Sequence, residues 1–324
     1  MSIFNHFQHI NLTNDQNDAL VKIQDFLTSD ENVFILQGYA GSGKTTLLKG
    51  IVDYLQAIEQ KYQLMAPTGR AAKVINQKTG FEATTIHKGI YSFDELEEIE
   101  LKEEEKSDVS FIYYYKLRNN HDAYNSIFIV DEASMVSDIL SQGEFFRFGS
   151  GHLLRDLITY GRVQEATTSS KIIFIGDPAQ LPPIGMTFSP ALDPQYLRET
   201  YKVSVSQVEM KEVKRQDSNN GILISATKIR QCLTSGYFND FDLRENGRDI
   251  FNPAYQDYLD TYNSQQDQKI IICYKNKTAL DLNQAIRREK FGEDFPIQAS
   301  DTVIIGGNNY RLGIMNGEFA VVSE

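Results

Sequence analysis

Cysteine occurs only twice in the 324 residues, at Cys232 and Cys273, far apart and outside any CxxC or His-rich cluster. That scarcity excludes a disulfide framework and a Cys/His zinc site, and both thiols are expected to act as small buried hydrophobes. Long apolar runs are missing too. No stretch is long enough to span a bilayer, although hydrophobic residues make up 41% and charged residues 23% of the chain. The first residues, Met1-Ser-Ile-Phe-Asn-His6, have neither a basic region nor an apolar core of the secretory kind, so the expectation is a cytoplasmic protein without a membrane partner. Positive charge is in short supply: 32 Lys and Arg stand against 44 Asp and Glu, a net −12. A broad basic face for coating nucleic acid is therefore excluded, and any nucleic-acid contact has to be local. The densest acidic stretch, residues 93–108, repels phosphate and reads as a solvated loop or helix.

At this length a single hydrophobic core usually stops growing, so two lobes are expected. Apolar runs of strand length recur at Val33–Leu36, Gln63–Ala66, Ser126–Val130, Lys171–Ile175 and Lys269–Cys273. Continuous apolar strands suit a parallel sheet buried on both faces, so the fold class is α/β. Helices fit at Asn14–Leu27, with Thr13 as N-cap, at Thr45–Gln60 and at Arg70–Gln77. Residues 88–124 break the strand and helix rhythm and read as an insertion, and 143–170 reads as an irregular connection. The lobe boundary is expected near Phe188 to Arg198, giving a first lobe over 1–190 and a second over 191–324.

The strongest chemical signal is Gly38-Tyr-Ala-Gly-Ser-Gly-Lys-Thr45, which satisfies G-x-x-x-x-G-K-[ST] between a predicted strand and a predicted helix. Glycines let backbone N–H groups approach phosphate oxygens at a helix N-terminus, Lys44 reaches the β- and γ-phosphates, and the Thr45 hydroxyl suits Mg²⁺. Gly38, Ala40, Gly41, Ser42, Gly43, Lys44, Thr45 and Thr46 are thus the expected ATP-binding residues. Ser126-Ile-Phe-Ile-Val-Asp131-Glu132 ends a buried strand in two carboxylates, one suited to hold Mg²⁺ (Asp131) and one to polarise the attacking water (Glu132).

Asp131-Glu-Ala-Ser134 and Ile175-Gly-Asp-Pro-Ala-Gln-Leu-Pro-Pro183 together resemble motifs II and III of superfamily 1 helicases. The Leu181-Pro-Pro183 tail points to the 5′-to-3′ branch that contains RecD and the phage helicase Dda. The resemblance implies two RecA-like lobes with ATP between them. It implies that Gln180 senses the γ-phosphate, that Gln16 in Leu12-Thr-Asn-Asp-Gln16 reads the adenine edge, and that Arg215 in Glu209-Met-Lys-Glu-Val-Lys-Arg215-Gln216 is an arginine finger. Ala66-Pro-Thr-Gly-Arg-Ala-Ala72 and Thr84-Thr-Ile-His87 resemble motifs Ia and Ib, which makes Pro67, Thr68, Arg70, Thr85 and His87 candidates for a single-stranded DNA groove. His87 has the alternative of a satisfied core histidine. Lys275 and Asn276 in the Tyr274–Asn283 segment are the corresponding second-lobe contacts, with a solvated turn as the alternative. Asn316-Gly-Glu318 matches a turn into an accessory β domain.

The implied partners are single-stranded DNA and a duplex junction, with a monomer expected, and the implied cofactors are ATP and Mg²⁺. The insertion 88–124 stands where the family carries its strand-separating pin, so Phe111 or one of Tyr113 to Tyr115 is the candidate wedge. The chain ends before the family's last two motifs, so it reads as a fragment of a longer gene product, with a degenerate motor as the alternative, and is expected to bind ATP but to hydrolyse it and unwind DNA poorly. A P-loop kinase and an ATP-controlled DNA-binding subunit without turnover are the competing readings.

Overall fold

The structure is a computed structural model. It describes the chain except residues 101–110, 121–122, 142–145, 213–219, 239–244, 267–268, 293–295, 308–311, 313, 315–317 and 324, and the side chains of 94–100, 111, 112, 123 and 234. Two compact units result: Met1–Arg215 with Gly306–Glu318, and Gln216–Ile305 with Phe319–Glu324.

Unit 1 begins with a 3-10 turn, Ile3–Phe7, and α1 (Asn14–Thr28). Thr13 opens α1 through a full capping box, in which the Thr13 hydroxyl accepts from Gln16 N and the Gln16 side chain accepts from Thr13 N. Then come β1 (Val33–Gly38), α2 (Lys44–Ala57), β2 (Lys61–Ala66), α3 (Gly69–Thr79), β3 (Thr84–Thr85), α4 (Ile86–Ile90), β4 (Tyr91–Glu100) and β5 (Phe111–Leu117). They are followed by β6 (Ser126–Val130), β7 (Phe146–Phe148), α5 (Leu153–Gly161), β8 (Lys171–Gly176), α6 (Pro194–Tyr201) and β9 (Val205–Met210). A six-stranded parallel sheet runs in the order β3-β2-β6-β8-β1-β9.

The apolar strands divide their residues by period two, as successive side chains of a strand must. Phe34, Leu36, Ile127, Ile129, Ile173 and Ile175 face α1, α2 and α3 in one core. Val33, Ile35, Phe128, Val130, Ile172 and Phe174 face α4, α5 and α6 in the other. Burying both faces, at roughly 1.5–3 kcal/mol per large side chain, is what holds the strand ends in fixed register. The lobe is α/β, a parallel sheet with helices on both faces, as expected.

The insertion supplies β4 and β5 of a three-stranded sheet, β4-β5-β7, whose third strand comes from the 143–170 connection. Part of the acidic stretch expected to be loop or helix is therefore strand: Leu96 to Glu100 pair antiparallel with Tyr115 to Phe111. The backbone ladder to β5 decides it, a pairing that the charge pattern alone does not reveal. The 143–170 connection contains β7 and α5, the latter carrying buried Leu154, Leu157, Ile158 and Gly161 at helical spacing. Its anchor is Asp156, which accepts the Tyr91 hydroxyl at 2.7 Å and the Ser150 N–H at 2.9 Å.

The first unit continues past Phe188–Arg198. β9 pairs with β1 along its length and buries Val205, Val208 and Met210, so the sheet, and with it the first unit, extends beyond residue 190.

In unit 2 the described residues form α7 (Gly221–Ser235), α8 (Tyr258–Ser264), α9 (Asn276–Phe291) and the antiparallel pair β10 (Thr302–Ile304) and β11 (Phe319–Val321). Lys269–Cys273, expected as a buried strand, is not one: Ile270 and Ile272 are 71% and 89% exposed. No described strand pairs with it, and a strand without a ladder partner leaves its N–H and C=O groups to water. Cys232 is buried as expected, whereas Cys273 is only half-buried. No described helix is long and apolar enough to cross a membrane.

The packing of the N-terminal turn on α2 is tight enough to test. A Cβ at Gly50 would stand 2.0 Å from Phe7 Cζ. Gly50→Ala is expected to destabilise the chain by about 1–3 kcal/mol in denaturant titration, despite the gain in helix propensity. Phe7→Leu in the same background should recover part of that loss.

Candidate nucleotide site

In a parallel α/β sheet, ligands bind beyond the carboxyl ends of the strands. Here β6, β8 and β1 are neighbours, so the turns that leave their carboxyl ends are brought together. After β1 comes the phosphate loop. Gly41 and Gly43 sit at φ +83° and +93°, a left-handed geometry that lets the loop turn its N–H groups inward before α2 starts at Lys44. Backbone bonds close it: Ser42 N to Tyr39 O at 3.0 Å, and Thr46 N and Leu47 N to Gly43 O at 2.9 and 3.0 Å. Ser42 is buried and fixed within the loop, Ala40 and Gly41 are exposed, and Thr45 and Thr46 are half-buried at the first turn of α2. The Lys44 ammonium donates to the carbonyls of Gly38 and Tyr39 at 2.7 and 3.2 Å, across the mouth of the loop.

After β6 comes the acidic pair. Asp131 is 7% exposed and accepts the N–H of Glu132 at 2.9 Å. Burial, then the neighbouring Glu132 carboxylate, push its carboxyl up to about 6; Lys44 and Lys78 pull the other way without compensating. A buried carboxylate that holds its proton this tightly lacks a full counter-charge, and a hard divalent cation with oxygen ligands is the group that supplies one. The donor set of Asp131 and Thr45 therefore fits Mg²⁺. Glu132 sits at φ +53°, an uncommon conformation for a residue with a side chain and of the kind that clusters at functional sites.

After β8 comes the turn that carries Gln180. Asp177, 1% exposed, accepts Ala179 N through its side chain and Gln180 N through its carbonyl, both at 3.0 Å. This sets the exposed Gln180 at the turn's surface. The two turns touch: a Cβ at Gly176 would meet Ser134 N at 3.2 Å and Ala133 N at 3.4 Å. Asp177 lay within the quoted motif without a role. Its near-complete burial at a strand end is what marks it as the pin of the turn.

Gln16 is 4% exposed and enters the site from α1, its Nε2 donating to Ser42 O at 2.8 Å. Arg215 and Gln216 lie outside the described residues, as do Asn316 and Gly317.

The candidate DNA residues divide. Pro67, Thr68 and Arg70 follow β2 on the same sheet edge, with Thr68 capping α3 through Ala71 N at 3.2 Å and Arg70 exposed. Thr85 is buried and caps α4 through Lys88 N at 3.1 Å. His87 packs into an aromatic cluster, 5.1 Å from the Phe148 ring and 5.6 Å from Tyr91, and burial lowers its pKa. Both have clear packing duties, the alternative already open for His87. Lys275 and Asn276 are exposed at the start of α9 in unit 2. The side chain of Phe111 lies outside the described residues. Tyr115 stacks on Phe148 at 4.7 Å and packs on the core, whereas Tyr113 stacks on the exposed Phe146 at 5.7 Å.

A phosphate loop, an acidic strand end and a glutamine turn on one edge of a parallel sheet define a P-loop nucleotide-binding lobe. A family model described as an AAA domain matches residues 22–186, just over half of the chain, and the chain belongs to that family. It is 26% identical to the ATP-dependent DNA helicase Dda of Enterobacteria phage T4 over 310 residues, 91% of this chain and 61% of the relative. It is 30% identical to the RecBCD enzyme subunit RecD of Buchnera aphidicola over 184 residues, 54% of this chain and 27% of that one. An uncharacterized protein of Methanocaldococcus jannaschii is 33% identical over 199 residues, with 60% of this chain and 15% of the relative covered. The chain thus spans less than two thirds of each of these relatives. A solved Pif1 structure from Bacteroides superposes over 97% of this chain at TM-score 0.45 and 19% identity, too loosely to add anything. The matches to RecD and Dda bear out the resemblance read from the motifs.

The state of Asp131 gives a pH prediction. Its folded pKa is raised, so without metal the folded chain loses stability as pH climbs from the ordinary aspartate range through about 6, and the deficit persists above. Asp131→Asn, which keeps an acceptor for Glu132 N, should match the parent at pH 4. Above pH 6 in a chelator it should exceed the parent by on the order of 1–3 kcal/mol. Equal melting temperatures at pH 8 would contradict the assignment.

Proposed function

We propose that this chain is the ATP-driven motor portion of a DNA helicase or translocase that works on single-stranded DNA. The observation that carries the reading is the single sheet edge. Lys44, Asp131, Glu132 and Gln180 emerge from β1, β6 and β8, while Pro67, Thr68 and Arg70 emerge from β2 beside them. A nucleotide site and a nucleic-acid groove side by side on one rigid sheet can feel each other's occupancy. ATP can drive a change of grip because its affinity differs between the two states of the chain.

In this reading the loop N–H groups and Lys44 bind the triphosphate, with Lys44 turning from the Gly38 and Tyr39 carbonyls to the β- and γ-phosphates. Thr45 and Asp131 hold Mg²⁺. When bound, the ion neutralises charge that develops on the phosphate oxygens. Glu132 orients the attacking water and takes its proton, and Gln180, whose amide both donates and accepts, touches water and γ-phosphate together. Arg215 is proposed as the arginine finger on the strength of the motif alone. Pro67, Thr68 and Arg70 are proposed to hold the sugar-phosphate backbone, and Lys275 and Asn276 are proposed as backbone contacts of unit 2 on the strength of the motif alone. Tyr113 and Phe146, at the exposed end of the aromatic stack, are proposed to meet the duplex junction.

A second reading, an ATP-controlled DNA-binding subunit that does not turn over, is favoured by the net charge of −12. A P-loop kinase is the third, and it has no use for Glu132. ATPase assays titrated with single-stranded DNA separate them: a motor is stimulated, a kinase is indifferent, and a binding subunit turns nothing over. Glu132→Gln should keep nucleotide affinity and lose at least about 100-fold in hydrolysis rate. Unaltered turnover would remove the proposed base.

A further inference from the structure

The residues around the phosphate loop assign Gln16 a part other than reading a base. Its side chain is engaged at both ends. Oε1 accepts the N–H of Thr13 at 3.0 Å, and Nε2 donates to the carbonyl of Ser42 at 2.8 Å, in the middle of the phosphate loop. With 4% of the residue exposed, little of the amide is left to meet a nucleobase. The loop is shaped around this contact. A Cβ at Gly43 would stand 2.3 Å from Gln16 Nε2, so the glycine that precedes Lys44 is also the space the amide occupies.

The turn that carries Gln16 is itself fixed from the other side. Asp15 accepts the backbone N–H groups of Lys211 and Glu212 at 2.6 and 2.9 Å, just past β9. The end of β9 is in turn bonded to the loop's start, through Tyr39 N to Met210 O at 3.0 Å. The first turn of α1, the end of β9 and the phosphate loop thus form one closed circuit of hydrogen bonds, with Gln16 as the link that reaches the loop's centre.

We propose that Gln16 is a positioning residue for triphosphate binding: it braces the phosphate loop at Ser42 and acts on any nucleoside triphosphate alike, without discriminating adenine. This rests on the nucleotide-site reading above. A free loop carbonyl at position 42 would let the loop relax and misdirect its N–H groups. Removing the brace should therefore weaken binding of the phosphate chain itself, whatever base is attached.

The test compares Mg·ATP, Mg·GTP and base-free inorganic tripolyphosphate as competitors of a fluorescent nucleotide on the whole chain, for the parent and for Gln16→Ala. Gln16→Met is run in parallel because it fills the same volume and keeps α1 packed if the alanine variant melts. The expected result is a loss of roughly tenfold for all three ligands, the scale of one lost hydrogen bond on a preorganised loop. A loss confined to ATP, with GTP and tripolyphosphate unchanged, would overturn the proposal in favour of adenine reading. No loss for any ligand would overturn it as well. A parent chain that binds none of the three would refute the nucleotide site itself, an outcome distinct from either.

Discussion

Everything in the site depends on the parallel register of β1, β8 and β6. Phe34 sits opposite Ile173 and Phe128 opposite Ile172 because each strand buries alternate residues in two different cores. A slip of one residue would turn every strand's core set to the wrong face. The register is therefore held by the whole apolar content of the lobe, and the polar ends inherit its precision. Gly38, Asp131 and Asp177 leave the same edge of the sheet because three neighbouring apolar strands run parallel in a fixed register.

That arrangement also places an electrostatic demand. A carboxylate 7% exposed, next to another acid, is costly to bury. The left-handed Glu132 adds local backbone strain at the same turn. Both features cost stability, and both lie at the turn proposed to face Mg²⁺ and phosphate. Such local expense beside an otherwise regular core is how binding sites commonly announce themselves.

Much of the fold and site is legible in the residues alone. The strands β1, β6 and β8 are nearly continuous apolar runs, and the phosphate loop and acidic pair have spacing that few other structures require. The features that are not legible are set by long-range pairing. β9 alternates polar and apolar residues and belongs to the first sheet only because β1 offers it an edge. β4 is acidic, and takes strand form against the aromatic β5. Ile270 and Ile272 are apolar enough for a buried strand yet find no described ladder. His87 is equally suited by its motif to a groove or a core, and only the rings of Tyr91 and Phe148 show where it packs. The roles of Gln16 and Asp15 are illegible for the same reason, since their partners, Ser42, Lys211 and Glu212, are far along the chain.

The central claim is that one triphosphate is held between the loop at Lys44 and the carboxylate at Asp131. Calorimetric titration of ATP into the chain, with and without Mg²⁺, tests it directly. The account predicts a single site per chain that tightens with Mg²⁺ in the parent, loses the metal's contribution in Asp131→Ala and loses nucleotide altogether in Lys44→Ala. Binding that survives Lys44→Ala with unchanged affinity would contradict it.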